Sequence, residues 1–174
     1  MCALLRPAHP YGEKIMAFHC PRWEELPNLD LYMEQVVTLL NQVLAPFALG
    51  EKPITPTMIN NYVKQRLVKP PIKKKYTRQH MAYLVVVCLL KKVFSIPEIC
   101  ELIQLQIAQY PTDVAYDYFC TELEHALRTI FAGDPCFLTS TATKTTLTTE
   151  ILRSTVLCFA NKVYVQAGLR AKED

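Results

Sequence analysis

Thr55-Pro56-Thr57-Met58-Ile59-Asn60-Asn61-Tyr62-Val63-Lys64-Gln65-Arg66 is the stretch whose reading decides this chain. A threonine followed by proline starts a helix well. The hydroxyl caps a free N–H, and the N–H that proline lacks has no partner at the first helical position anyway. Pro70-Pro71 forbid any long continuation, so the spacing predicts a helix over 56–66. At about 100° per residue, Met58, Ile59, Tyr62, Val63 and the stem of Arg66 gather on one side. Thr57, Asn60, Asn61, Lys64 and Gln65 gather on the other, which therefore holds amides, a hydroxyl and an ammonium but no acid. Asparagine can bond adenine bidentately, threonine a base edge or the thymine methyl, and lysine guanine or phosphate. Two neighbouring asparagines are poor helix formers, so their presence asks for a reason other than stability. The plainer reading of the same residues is a solvated polar face.

The charge around this helix is uneven. Residues 51–92 hold 10 Lys/Arg against 1 Asp/Glu, whereas residues 93–135 hold 1 against 7. A general solvated surface intersperses the signs, so the first block is either a concentrated positive field or pairs with its acidic neighbour inside the fold. Lys69, Lys73, Lys74, Lys75, Arg78 and His80 follow the helix closely. Residues 72–77 are compatible with a short β-ribbon. On such a ribbon Lys73 and Lys75 point one way and Lys74 and Tyr76 the other, with Tyr76 as the anchor and the lysines suited to phosphate.

Working outward, residues 1–22 show no sustained period and read as an irregular arm. Leu29, Tyr32, Met33, Val36, Leu40 and Val43 predict a helix over 29–45. The ten-residue apolar run Met81–Leu90 predicts a central buried helix over 78–93. Ser95 is placed to cap a helix over 96–109, and Pro111-Thr112-Asp113 to open one that ends at Gly133. Residues 139–149 hold seven threonines and read as a linker before a last helix over 147–167, giving six helices in all. Apolar residues of the last two helices, among them Phe119, Leu123, Leu127, Phe131, Val156, Phe159 and Val163, either complete one core or form a dimer interface.

Composition removes several classes of function. Four glycines against twelve prolines leave no phosphate-cradling glycine loop. The longest apolar run is too short to span a bilayer, which needs about 20 residues, and the first residues lack a secretory pattern, so a cytoplasmic protein without membrane association is expected. The seven cysteines, at 2, 20, 88, 100, 120, 136 and 158, are odd in number and never form CxxC; they read as reduced and mostly buried. Metal spacing is absent, and His19-Cys20, the one local Cys/His pair, lies in the arm. No catalytic residue, cofactor or metal site is expected, and the chain reads as a non-enzyme.

The order of residues 54–71, the lysine-rich turn ending at Tyr76, the apolar helix and then Ser95-Ile96-Pro97-Glu98-Ile99 resembles the MerR-type winged helix-turn-helix. More closely, Trp23-Glu24-Glu25-Leu26-Pro27 and Leu31-Tyr32-Met33-Glu34-Gln35-Val36 through Ile103 resemble a bacterial domain of unknown function, DUF1836. Against the MerR pattern, Asn60 replaces a phosphate-gripping arginine and Arg66 replaces the glycine that closes the helix in a left-handed turn. The resemblance implies a mainly α protein: an arm (1–22), a MerR-like winged helix-turn-helix with a small β-wing (23–110), and C-terminal helices for dimerisation or an effector (111–174). The function expected is a sequence-specific transcriptional regulator. It binds double-stranded DNA as a homodimer, and the resemblance leaves room for an unidentified small-molecule effector. Thr57, Asn60, Asn61 and Lys64 belong to the reading face, while Arg66, Lys69, Lys73, Lys74, Lys75 and Arg78 meet phosphates. The alternative is a non-catalytic helical interaction module whose basic block binds an acidic partner.

Overall fold

The computed structural model describes residues 10–132 and 140–171. Among them it forms seven helices: α1 (Pro10–Met16), α2 (Met33–Leu44), α3 (Pro56–Lys64), α4 (Arg78–Leu90), α5 (Ile96–Ile107), α6 (Thr112–Ala132) and α7 (Leu147–Arg170). The protein is mainly helical. The chain divides into one compact unit over Pro21–Asp117 and a second that joins residues up to Cys20 with those from Tyr118 onward.

The Pro21–Asp117 unit is organised by α4. Met81, Leu84, Val85, Val87, Leu89 and Leu90 are all essentially buried, which is where a helix apolar on most of its circumference must go. Helix α2 packs on α4 and on α3, contributing Val36 and Leu40. Helix α5 starts as its sequence dictates. Glu98 accepts hydrogen bonds from the Ser95 N–H and hydroxyl at 2.7 Å each, which hold its carboxyl below the usual carboxylate range. The two ends of the unit are clipped together: the Trp23 N–H donates to Asp117 Oδ1 at 2.7 Å and the Tyr116 hydroxyl to the Pro21 carbonyl at 2.8 Å.

Three expectations are corrected in this unit. No strand forms among the described residues, so the small β-wing is reduced to two isolated bridges, Ile72 with Lys75 and Leu31 with Tyr76. Helix α2 starts at Met33 rather than Leu29, because Leu31 exchanges two backbone hydrogen bonds of 2.8 Å with Tyr76 and must be extended there. Leu29, one of the apolar positions whose spacing predicted the helix, is 78% exposed. Helix α3 ends at Lys64, and Arg66, whose stem was placed with the apolar side, lies beyond it and is exposed.

The second unit contains α1, inside the stretch expected to be irregular; seven residues are fewer than two turns, too few for a period to show. Phe119, Leu123, Leu127, Phe131, Val156, Phe159 and Val163 are at most 4% exposed, so they complete this unit's core rather than face a second copy. The threonine-rich stretch is also more than a linker. Glu122, fully buried, accepts from the Thr141 N–H at 2.6 Å and from the Ser140 and Thr141 hydroxyls, and lies 3.7 Å from Arg153 Nη1. Thr146 caps α7, which runs on to Arg170, past the Ala167 expected. Thr139, the first residue of that stretch, lies outside the described residues.

Of the described cysteines, Cys20, Cys88 and Cys120 are buried, Cys100 is partly so and Cys158 is exposed, against the expectation for Cys158. Burial pushes the Cys88 thiol up to about 12, and it is the thiolate that reacts. Alkylation of the native protein near neutral pH, read peptide by peptide, is expected to label Cys158 within minutes and Cys88 only after denaturation.

Candidate functional site

The α3 face separates as the periodicity predicts: Ile59 and Tyr62 are buried, while Thr57, Asn60, Asn61, Lys64 and Gln65 are exposed. Thr55 caps the helix, its Oγ1 accepting from the Met58 N–H at 3.4 Å. What positions that cap comes from α2. Asn41 donates to the Ile54 carbonyl at 3.0 Å and accepts from the Ile54 N–H at 2.8 Å, so one side chain holds both polar groups of the residue before the cap. Nothing in the spacing of Asn41 singled it out, since its partner is thirteen residues away.

The end of α3 is a Schellman closure. The Leu67 N–H bonds the Tyr62 carbonyl and the Arg66 N–H the Val63 carbonyl, both at 3.0 Å, with Arg66 at φ 61°. The arginine therefore adopts the left-handed conformation that glycine usually takes there. Lys73 and Lys74 do the same, at φ 49° and 65°. They form a two-residue turn closed by reciprocal Ile72–Lys75 backbone bonds of 2.9 Å, the type I′ geometry that normally selects Asn-Gly. The alternation expected of a ribbon does not apply to a turn this tight.

Two buried rings fix the base of the turn. Tyr76 is 2% exposed, and its backbone is bonded on both sides to Leu31. His80, expected to be part of the cationic cluster, is instead 7% exposed, and its ring stands edge-on to Tyr76 with centroids 5.6 Å apart. Its Nδ1 lies 3.0 Å from the Thr77 nitrogen and its Nε2 3.1 Å from the Pro70 carbonyl. The Thr77 N–H must donate, so Nδ1 accepts and the Nε2–H donates to Pro70. One imidazole thus ties Pro70, ahead of the basic turn, to Thr77, beyond it.

The cations fall into two groups. Lys64, Arg66, Lys69, Lys73 and Lys74 are exposed and form no ion pair with any described residue. Lys75 lies with its Nζ 5.1 Å from the Tyr32 ring centroid, and Arg78 is 16% exposed with Nη1 donating to Glu24 at 3.0 Å. Those two are held by the fold and serve to brace the segment. No group of three metal-ligating side chains exists among the described residues, and no described helix is long and apolar enough to cross a membrane.

The Pro21–Asp117 unit is therefore a small helical domain that displays a polar helix face and a strained basic turn. Residues 21–119 match the family model of the domain of unknown function DUF1836, and the protein belongs to that family. The matched span ends within two residues of the compact unit, which the Trp23–Asp117 and Tyr116–Pro21 bonds close. No curated protein and no solved structure matches the chain.

Two substitutions test this construction. His80→Ala is expected to cost about 2–3 kcal/mol in denaturant unfolding, by stranding the Thr77 N–H and Pro70 carbonyl, and to speed amide exchange at Ile72 and Lys75. Arg66→Gly is expected to raise stability by about 0.5–1 kcal/mol in urea unfolding, because relief of the left-handed strain outweighs the added freedom of the unfolded chain.

Proposed function

We propose that the Pro21–Asp117 unit binds double-stranded DNA, and that the chain is a sequence-specific transcriptional regulator of the MerR-like winged helix-turn-helix kind, acting without a catalytic step. One observation carries this reading. Of the four described non-glycine residues at positive φ, three are the exposed cations Arg66, Lys73 and Lys74. Each costs about 1–3 kcal/mol where glycine or asparagine would cost little. Strain kept at positions that carry only charge is best explained by something that needs the charge. Phosphate is the natural partner of cations placed beside an exposed helix face, and α3 supplies that face.

In this reading α3 enters the major groove with Thr57, Asn60, Asn61 and Lys64 toward base edges. Arg66, Lys69, Lys73 and Lys74 take phosphates, and Lys75 and Arg78 brace them. The connection from α2 to α3, residues 45–55, is longer than the three- or four-residue turn of the standard motif. Asn41 supplies the rigidity that a short turn would otherwise give. Regulators of this kind read paired half-sites as dimers. Leu147, Val165 and Leu169, 71%, 55% and 60% exposed on α7, are apolar residues available for pairing two copies.

Fluorescence anisotropy against several unrelated duplexes over a salt series tests the proposal. Wild type is expected to lose affinity linearly on a log–log salt plot. Lys73→Ala with Lys74→Ala is expected to weaken all duplexes alike and to flatten the slope by about 2, at roughly 0.9 per phosphate contact. A wild-type protein with no salt-dependent duplex affinity refutes the reading and favours the alternative, a helical interaction module whose basic turn meets an acidic protein.

A further inference from the structure

Thr57, Asn60, Asn61 and Lys64 stand at i, i+3, i+4 and i+7, a diamond on one face of α3 with every corner exposed. From Thr57 to Lys64 the diamond covers about 10 Å of helix axis at 1.5 Å per residue, the length of about three base-pair steps of 3.4 Å. The two middle corners are asparagines whose amides bond no described residue. Asn41 and Asn161, by contrast, spend their Nδ2 groups on carbonyls at 2.9–3.0 Å. Two free amides, each a donor beside an acceptor, therefore point outward at the centre of the face.

Resting on the duplex-binding proposal above, we infer that this face selects adjacent A·T base pairs, Asn60 and Asn61 each taking one adenine in bidentate contact. Adenine shows an acceptor at N7 next to a donor at N6, the complement of an asparagine amide. Guanine shows two acceptors, so one of them would meet the amide oxygen. The flanking corners agree with that choice. Thr57 offers a methyl to thymine, and Lys64 is the one corner suited to guanine, at the far end of the diamond. No carboxylate stands among the four to accept from cytosine N4.

Selection from a random duplex library by the full chain, followed by competition assays, tests this. The expected result is enrichment of two adjacent A·T pairs, with each change to G·C weakening wild type about tenfold. Asn60→Ala and Asn61→Ala are each expected to abolish the discrimination at one of the two positions while leaving the salt slope unchanged. Both changes are exposed and favour the helix, so loss of fold does not confuse the result. Salt-dependent binding with equal affinity for A·T and G·C, or enrichment of guanine at the central positions, overturns this inference and leaves DNA binding standing. Absence of any duplex affinity overturns both.

Discussion

The anchorage of the basic turn by His80 and Tyr76 is the constraint on which the rest of the Pro21–Asp117 unit depends. A left-handed Lys-Lys pair persists only where its surroundings over-determine it. Here the surroundings do so from both ends: Pro70 and Thr77 through one imidazole, Tyr76 through the bridge to Leu31. Because His80 lies in the first turn of α4, the anchor inherits the rigidity of the most deeply buried helix in the unit. The same bridge sets the start of α2 at Met33 and brings Tyr32 under Lys75. Helix start, turn geometry and cation display are consequences of one small set of hydrogen bonds.

Much of this was legible in the sequence, and the part that was not has a common physical cause. The α3 faces, the Thr55 and Ser95 starts and the burial of the Met81–Leu90 run all follow from local periodicity or local capping, and the family resemblance was carried in part by the same residues. What escaped depends on partners far apart in the chain. Asn41 meets Ile54 thirteen residues on, Trp23 meets Asp117, and Glu122 gathers Ser140 and Thr141. His80 misled because its neighbours in sequence are basic, while its neighbours in space are a carbonyl, an amide and a ring. The expected ribbon failed for a related reason: two bonds between Ile72 and Lys75 satisfy the turn, and no third residue on either side continues the ladder.

The two units use charge in opposite ways. In the second, Glu122 and Arg153 are buried together among helices α6 and α7, where the hydroxyls of Ser140 and Thr141 donate to Glu122 and that of Thr129 accepts from Arg153 Nη2. Breaking such a pair by removing one member costs about 3–5 kcal/mol, because the other charge is left buried and uncompensated. In the Pro21–Asp117 unit two exposed acids pair with cations instead. Glu24 takes Arg78 and Glu51 takes Lys92, while Lys64, Arg66, Lys69, Lys73 and Lys74 form no ion pair with any described residue.

That distribution explains why strain and charge coincide. Exposed lysines on adjacent residues repel one another within a Debye length of about 8 Å at physiological salt, and a flexible loop would relax by spreading them apart. The closed turn prevents that relaxation, so the repulsion persists at Lys73 and Lys74; in the duplex-binding role proposed above, the polyanion would supply the missing charge. The rigid backbone also removes most of the ordering cost that a mobile lysine loop would incur on binding. Strain and unneutralised charge at Lys73 and Lys74 both disfavour the isolated domain, and the proposed association with a regularly spaced polyanion would compensate the repulsion while making use of the fixed geometry.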